Sequence, residues 1–369
     1  MSTSETTPKA SRSFIALHSE PSVVHVYSSN DYRGYTLYQI VRDTLSKFLR
    51  PAAYIALFST GLVSRCLLVL TFPLFFYDWI ASLFARLIVP AKDLSEEDVA
   101  NQSNWIRDAS ERAGQLLSGD SEHLKRIAIL VNGRKIDGCE YTPQNTSRYT
   151  IFMPGNAMSW QACAQEILGI AELLQTNVVC VGYRGIDRSR YPCTQDHLIA
   201  SARATLQYVQ TKTKEIHFWG FSLGGGIQAT LLQDYKPEKP CLVLSNKTFS
   251  SLESVVREYI SLLPNTAALF LWLFGWTLPT TEFSRKLNPK ITHIVVNTGH
   301  PKMTILPDRV ISDTSALAAS LYPETPNNTK ILLTRTIHTQ SFFPGPNSTT
   351  QEIRAIFQKL QSKQSPPSQ

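Results

Sequence analysis

Hydrophobic and polar positions change their spacing several times along the chain. The first 50 residues are polar and mixed in charge, with nine serines and no apolar stretch fit to be the core of a cleaved secretion signal. From Pro51 to Ala91 the pattern turns apolar, and Arg65, Asp78 and Arg86 are the only charges, dividing it into uncharged runs of 14, 12, 7 and 5 residues. A spanning helix needs about 20 predominantly apolar residues, so neither long run suffices alone. Ala52–Tyr77 reaches that length only with Arg65 tolerated in its middle, at a cost of about 3 kcal/mol. The segment 51–94 is therefore expected to be hydrophobic and helical, either associated with a membrane or packed on the protein's own core. Ser95–Ser118, within 95–125, reads as an amphipathic connector helix opened by Ser95, with Asp98 at the spacing of a capping box.

From Arg126 onward, short β-branched or apolar runs alternate with helical stretches, which predicts a mostly parallel sheet flanked by helices. Eight strands are expected: Ile127–Val131, Cys139–Thr142, Tyr149–Met153, Val178–Gly182, Ile216–Trp219, Leu242–Ser245, His293–Asn297 and Ile331–Thr334. Helices are expected at Trp160–Leu174, Gln195–Thr211, Leu223–Gln233 and Gln351–Gln361. Asn132-Gly133 and Asp137-Gly138 are turn signals, so the sheet should open with antiparallel hairpins and continue as parallel strands with right-handed crossovers. The interval Thr248–Pro289 breaks the alternation and reads as a small helical cap of about 248–290 inserted in a domain spanning 126–362. Its uncharged span Tyr259–Thr281 centres on Ala267–Leu278, either a core helix or a lid whose aromatic face (Phe270, Trp272, Phe274, Trp276) covers a pocket. The Ser/Pro/Gln-rich tail, 363–369, is expected to be disordered.

Composition narrows the classes of function. With 43% hydrophobic and 18% charged residues in 369, the chain is neither wholly disordered nor collagen-like. Its six cysteines (Cys66, Cys139, Cys163, Cys180, Cys193, Cys241) form no C-x-x-C pair, which argues against a zinc ribbon or a redox dithiol and for a reducing, intracellular compartment. No metal, nucleotide or flavin signature is present, so no cofactor is expected. The net charge of +7 comes without a dense basic block, which favours an anionic surface, such as a membrane, over base-specific nucleic-acid reading.

Gly220-Phe221-Ser222-Leu223-Gly224, followed by Gly225 and Gly226, is a G-x-S-x-G between an expected strand and an expected helix. A chain of this composition would contain roughly 0.07 such matches by chance, and the strand-to-helix context makes the match specific. A serine there stands on a sharp turn at a helix N-terminus, where free N–H groups favour developing negative charge. Its hydroxyl needs a base, and the base needs a carboxylate, in the order Ser, acid, His. His338, just after the last strand, is the expected base, with His300 as runner-up and His293 as a structural histidine. Asp308, the first carboxylate after the seventh strand, is the expected acid, with Asp313 next. The oxyanion donors would be the backbone N–H of Leu223 and that of Asn156 in Pro154-Gly155-Asn156-Ala157, with Ala157 as fallback.

Together, Gly220–Gly226, Pro154–Ala157, Tyr183-Arg184-Gly185, Asp308 and His338 resemble the α/β-hydrolase superfamily from Arg126 to the C-terminus. With its hydrophobic region ahead of that domain, the whole chain is also similar to the chlamydial CHLPS 43 kDa protein family, whose members have no firmly assigned activity. The resemblance implies an α/β-hydrolase fold with a Ser222–His338–Asp308 triad. Two departures bear on the site: Pro154 stands where many relatives have His, and the stretch Val296–Asp308 is long. The expected function is hydrolysis of small-molecule or lipid carboxylic esters by a membrane-associated serine hydrolase. Amidase, aminopeptidase, thioesterase or acyltransferase chemistry would use the same residues. An interaction protein that kept the fold without catalysis is the alternative from another class. Oligomeric state is not readable from the sequence.

Overall fold

In the computed structural model, the described residues are the backbone of 22–27 and, with gaps, 123–362. The larger gaps are 184–193 and 299–309; shorter ones include 132–133, 144–145, 261–263 and 344–346 and single positions such as 157, 313 and 337. The expected hydrophobic segment 51–94, residues 95–122 of the connector, the tail 363–369, and Asp308, Asp313, His300 and Ala157 lie outside the described residues, while the connector's last two residues, 124 and 125, open the first strand of the hairpin.

Nine strands form one sheet: β1 (Ser22–Tyr27), β2 (Leu124–Val131), β3 (Arg134–Tyr141), β4 (Tyr149–Met153), β5 (Asn177–Val181), β6 (Ile216–Phe221), β7 (Cys241–Asn246), β8 (Ile291–Thr298) and β9 (Thr329–Thr334). Their order is β1-β2-β3-β5-β4-β6-β7-β8-β9, and β5, β4 and β6 to β9 run parallel. Central strands β4, β5 and β7 are buried along their whole length, as expected for parallel strands covered on both faces. The helices are α1 (Ala164–Leu174), α2 (Gln195–Gln210), α3 (Leu223–Leu232), α4 (Leu252–Tyr259), α5 (Pro264–Leu273), α6 (Thr280–Arg285), α7 (Leu317–Leu321) and α8 (Ser348–Ser362).

Alternation along the strands splits the core in two. One face packs Ile151, Phe218 and Val243 against α2, α3 and the insertion between β7 and β8, through Leu206, Ile227, Leu271 and Trp276. The other packs Phe152, Trp219 and Leu244 against Ile167 and Ile170 of α1 and Ile353 and Phe357 of α8. Side chains of successive strand residues point to opposite faces, so each parallel strand supplies both cores. Because β4 and β6 to β9 share one direction, the loops at their C-terminal ends gather at one edge of the sheet.

All eight expected strands are present, and the structure adds or changes four features. First, Ser22–Tyr27, inside the polar N-terminal segment, pairs parallel with β2 as a ninth strand. Second, only one antiparallel hairpin opens the sheet: β2 pairs with β3, but β3 then pairs with β5 and not with β4. Third, Asp137-Gly138 is strand and not turn. Asp137 accepts hydrogen bonds from Arg126 at 2.8 Å and from the Trp160 indole at 2.9 Å. A Cβ on Gly138 would stand 2.6 Å from the Cys180 carbonyl oxygen, so glycine here permits close approach of β5. Fourth, the aromatic residues expected on one face of a lid are divided. Trp276 lies beyond the end of α5 and is buried, Phe270 and Trp272 on α5 are exposed, and Phe274 lies outside the described residues.

Candidate active site

Ser222 is the hinge between β6 and α3. Its φ of 51° and ψ of −115° are rare for a residue with a side chain, and the surrounding contacts hold it there. Its N–H donates to the Asn246 carbonyl of β7 at 2.9 Å, and its own carbonyl accepts from Gly225 N–H at 3.0 Å. The turn leaves no space for side chains on its flanks. A Cβ at Gly220 would meet Gly225 Cα at 2.6 Å, and one at Gly224 would stand 2.0 Å from the Met153 carbonyl oxygen. The motif glycines are thus explained by contact: the elbow after β6 is pressed against the end of β4.

The imidazole of His338 meets this elbow across 116 residues of sequence, with Nε2 at 3.1 Å from Ser222 Oγ. His338 follows β9, four residues beyond Thr334. Its ring also packs on that of Phe221, with centroids 5.3 Å apart. Both residues are largely covered: Ser222 keeps 9% and His338 6% of its surface in contact with solvent.

Leu223 is the first residue of α3, a position whose N–H the helix itself leaves without a carbonyl partner. Asn156 is exposed in the turn that follows β4, and the Met153–Gly224 contact brings the start of that turn to the elbow. Gly155 leaves room for the Phe221 ring, which a Cβ would approach to 2.8 Å. One supporting residue entered the sequence reading only through the family resemblance: the Tyr183 hydroxyl, buried at the end of β5, donates to the Pro154 carbonyl at 2.8 Å. Its neighbourhood in the sequence carries no sign of that partner.

Two strand histidines, His293 and His217, are buried within the sheet. His293 Nε2 and Ser245 Oγ lie 3.0 Å apart inside the sheet, and burial lowers the His293 pKa to about 4. His217 accepts the Leu242 N–H at 3.1 Å, and burial, helped by the charge of Arg148, lowers its pKa to about 3. Among the described residues, no group of three or more His, Cys, Asp or Glu could hold a metal ion. Among them, too, no helix is long and apolar enough to cross a membrane.

The strand order, the strained elbow and the histidine after the last strand define the class: this chain has the α/β-hydrolase fold. An α/β-hydrolase from Vibrio vulnificus superposes on 68% of this chain and 86% of its own, with a TM-score of 0.50 at 12% identity. A Pyrococcus furiosus esterase covers 67% of this chain and 95% of its own at 16% identity, with a TM-score of 0.49. Esterase LipW from Mycobacterium marinum covers 74% and 92% at 14% identity, with a TM-score of 0.47. Within that class, the sequence matches the family described as Chlamydia CHLPS protein (DUF818) over residues 13–344, and the chain belongs to it.

Proposed function

We propose that the chain is a serine hydrolase of carboxylic esters in which Ser222 is the nucleophile and His338 the general base. The reading is carried by the 3.1 Å approach of His338 Nε2 to a Ser222 Oγ held on a strained elbow. Ser222 Oγ attacks the ester carbonyl carbon as its proton passes to Nε2, and the N–H groups of Leu223 and Asn156 face the oxyanion that forms. Collapse breaks the ester C–O bond, and the imidazolium returns the proton to the departing alkoxide. Water then attacks the acyl-enzyme, again giving a proton to Nε2, and carboxylate and free serine are regenerated. An acid from the segment after β8 would hold the imidazole tautomer, with Asp308 the first choice and Asp313 the second.

Lipid or other acyl esters are the favoured substrates, and residues 51–91 would hold the protein at a membrane inside the cell. The test is a p-nitrophenyl ester series of increasing chain length, run beside amide and thioester analogues on the full chain. Turnover of esters that disappears in Ser222→Ala supports the reading, whereas equal or greater turnover of amides moves it to another member of the same chemistry. The cover over the dyad favours a second reading, a binding protein that kept the fold without turnover. That reading predicts no hydrolysis of any of these substrates.

A further inference from the structure

His338 has to cross the sheet to reach its partner. It follows β9, which β8 and β7 separate from β6, a span of about 14 Å at the usual strand spacing of about 4.8 Å. The chain passes the end of β8 at Thr336, whose carbonyl accepts the Thr298 hydroxyl at 3.1 Å. Two residues later the imidazole lies at the end of β6, with Nε2 3.1 Å from Ser222 Oγ. Its own strand is therefore too far away to aim the ring, and the aim has to come from what the ring lies against.

That surface belongs to β6. The His338 ring packs on the Phe221 ring with centroids 5.3 Å apart and planes tilted by 42°, within the range of favourable ring pairs. Phe221 directly precedes the nucleophile, and its backbone is fixed: it pairs with Asn246 of β7, whose carbonyl accepts the Ser222 N–H at 2.9 Å. Its ring fills the space that a Cβ on Gly155 would need, 2.8 Å from Cδ1, so the turn after β4 also limits its movement. Five residues past His338, the Phe343 ring lies on Trp219 with centroids 5.4 Å apart, two residues before Phe221 and on the same face of the sheet. Phe343 also sits beside α1, where a Cβ at Gly169 would stand 2.2 Å from its ring. One face of the nucleophile's strand thus receives two rings from beyond β9, His338 on Phe221 and Phe343 on Trp219.

We propose that Phe221 is a positioning residue for the base: its ring is the surface that stops the His338 imidazole from turning away and keeps Nε2 on Ser222 Oγ. The proposal rests on the reading of Ser222 and His338 as nucleophile and base. Phe221 has no proton to give or take, so it acts through the imidazole alone. A histidine side chain turns about two single bonds, and a flat ring against it removes orientations in which Nε2 leaves the hydroxyl. Displacement of a catalytic group by about 1 Å can cost a hundredfold in rate, so this restraint is felt in turnover. Because Phe221 and Ser222 are joined by one peptide, the restraint moves with the nucleophile, and the pair keeps its geometry when the edge of the sheet near β9 shifts.

The experiment compares the full chain with Phe221→Leu, Phe221→Met, Phe221→Tyr, His338→Ala and the double variant Phe221→Leu/His338→Ala. Leucine and methionine keep most of the apolar volume at this partly buried position and lose the flat ring, so either variant serves if the other folds poorly. In both, kcat on a p-nitrophenyl ester is expected to fall about tenfold with KM little changed, and Phe221→Tyr, which keeps the ring, should restore most of it. In the His338→Ala background no imidazole remains to be placed, so Phe221→Leu should slow the residual fluorophosphonate labelling no further, whereas a merely structural role would slow it in both backgrounds. The imidazole C–H resonances of His338, identified by their loss in His338→Ala, should move in Phe221→Leu and stay in Phe221→Tyr, a readout that needs no turnover. A wild-type chain that neither hydrolyses esters nor takes the label, but whose His338 resonances move in Phe221→Leu, would refute the hydrolase reading and leave the placement of the ring standing. Turnover in Phe221→Leu and Phe221→Met equal to wild type, a rise in KM alone, unmoved resonances, or equal slowing in the His338→Ala background would overturn the proposal.

Discussion

The Tyr183 hydroxyl donates a 2.8 Å hydrogen bond to the carbonyl oxygen of Pro154. That bond fixes the plane of the peptide joining Pro154 to Gly155, and with it the direction of the N–H groups that follow. In Tyr183→Phe the buried carbonyl loses its donor while the ring stays packed. We expect kcat on an ester to fall about tenfold with little change in KM, because an oxyanion donor acts on the transition state more than on the bound ester. Steady-state kinetics on matched substrates check this. A change in KM alone would mean that the turn shapes binding rather than oxyanion stabilisation.

Gly224 makes one of the two tightest contacts in the elbow, and the one against backbone, since any Cβ there would be driven to 2.0 Å from the Met153 carbonyl oxygen. Relief would require β4 and the start of α3 to separate. Gly224→Ala is therefore expected to destabilise the fold by about 3 kcal/mol or more, at the upper end of overpacking costs. Urea unfolding followed by circular dichroism measures it, and a wild-type midpoint would show that the elbow has room that its geometry denies.

Much of this fold was legible because its signals are local. Runs such as Asn177–Val181 can hide their β-branched side chains only in the middle of a covered sheet, and the glycines of Gly220–Gly226 announce a turn that no other residue fits. His338 could be chosen because a serine on that turn requires a base after the last strand. What the sequence concealed depends on distant partners. Ser22–Tyr27 becomes a strand only by pairing with residues about a hundred positions later, and Asp137-Gly138 has the composition of a turn until Cys180 approaches it. The contact of the Phe221 ring with the His338 ring joins positions 117 residues apart, which spacing does not encode. Asp308 and Asp313 lie outside the described residues, so the acid is still a choice made on chain order.

Stability should fall as the solution is acidified, in two stages. Buried His293 has its pKa lowered to about 4, so as pH drops below its unfolded value of about 6.5 the unfolded chain takes up a proton that the folded chain refuses. Buried Glu140 acts at lower pH. Burial alone would raise its pKa, but hydrogen bonds from Lys212 and Tyr208, the Lys212 charge and the Tyr149 hydroxyl bring it below the ordinary carboxylate value. Its contribution is full above that ordinary value and is lost as pH falls through the lower, folded one. Urea midpoints measured from pH 7.5 down to pH 3.5 should first decline near pH 6.5 and then steepen below about pH 4.5. Glu140→Gln should be less stable at neutral pH and lack the second stage; an identical profile in that variant would contradict the assignment.

The most direct measurement is covalent labelling of the full chain with a fluorophosphonate, followed by mass spectrometry of the modified peptide. Such a reagent bonds only to a serine whose proton a nearby base removes, so it reads the Ser222–His338 contact as chemistry. The account predicts one label, on Ser222, absent in Ser222→Ala and slowed at least about a hundredfold in His338→Ala while circular dichroism stays that of the folded protein. Labelling of another residue, or labelling of Ser222 at the same rate without the imidazole, would contradict it.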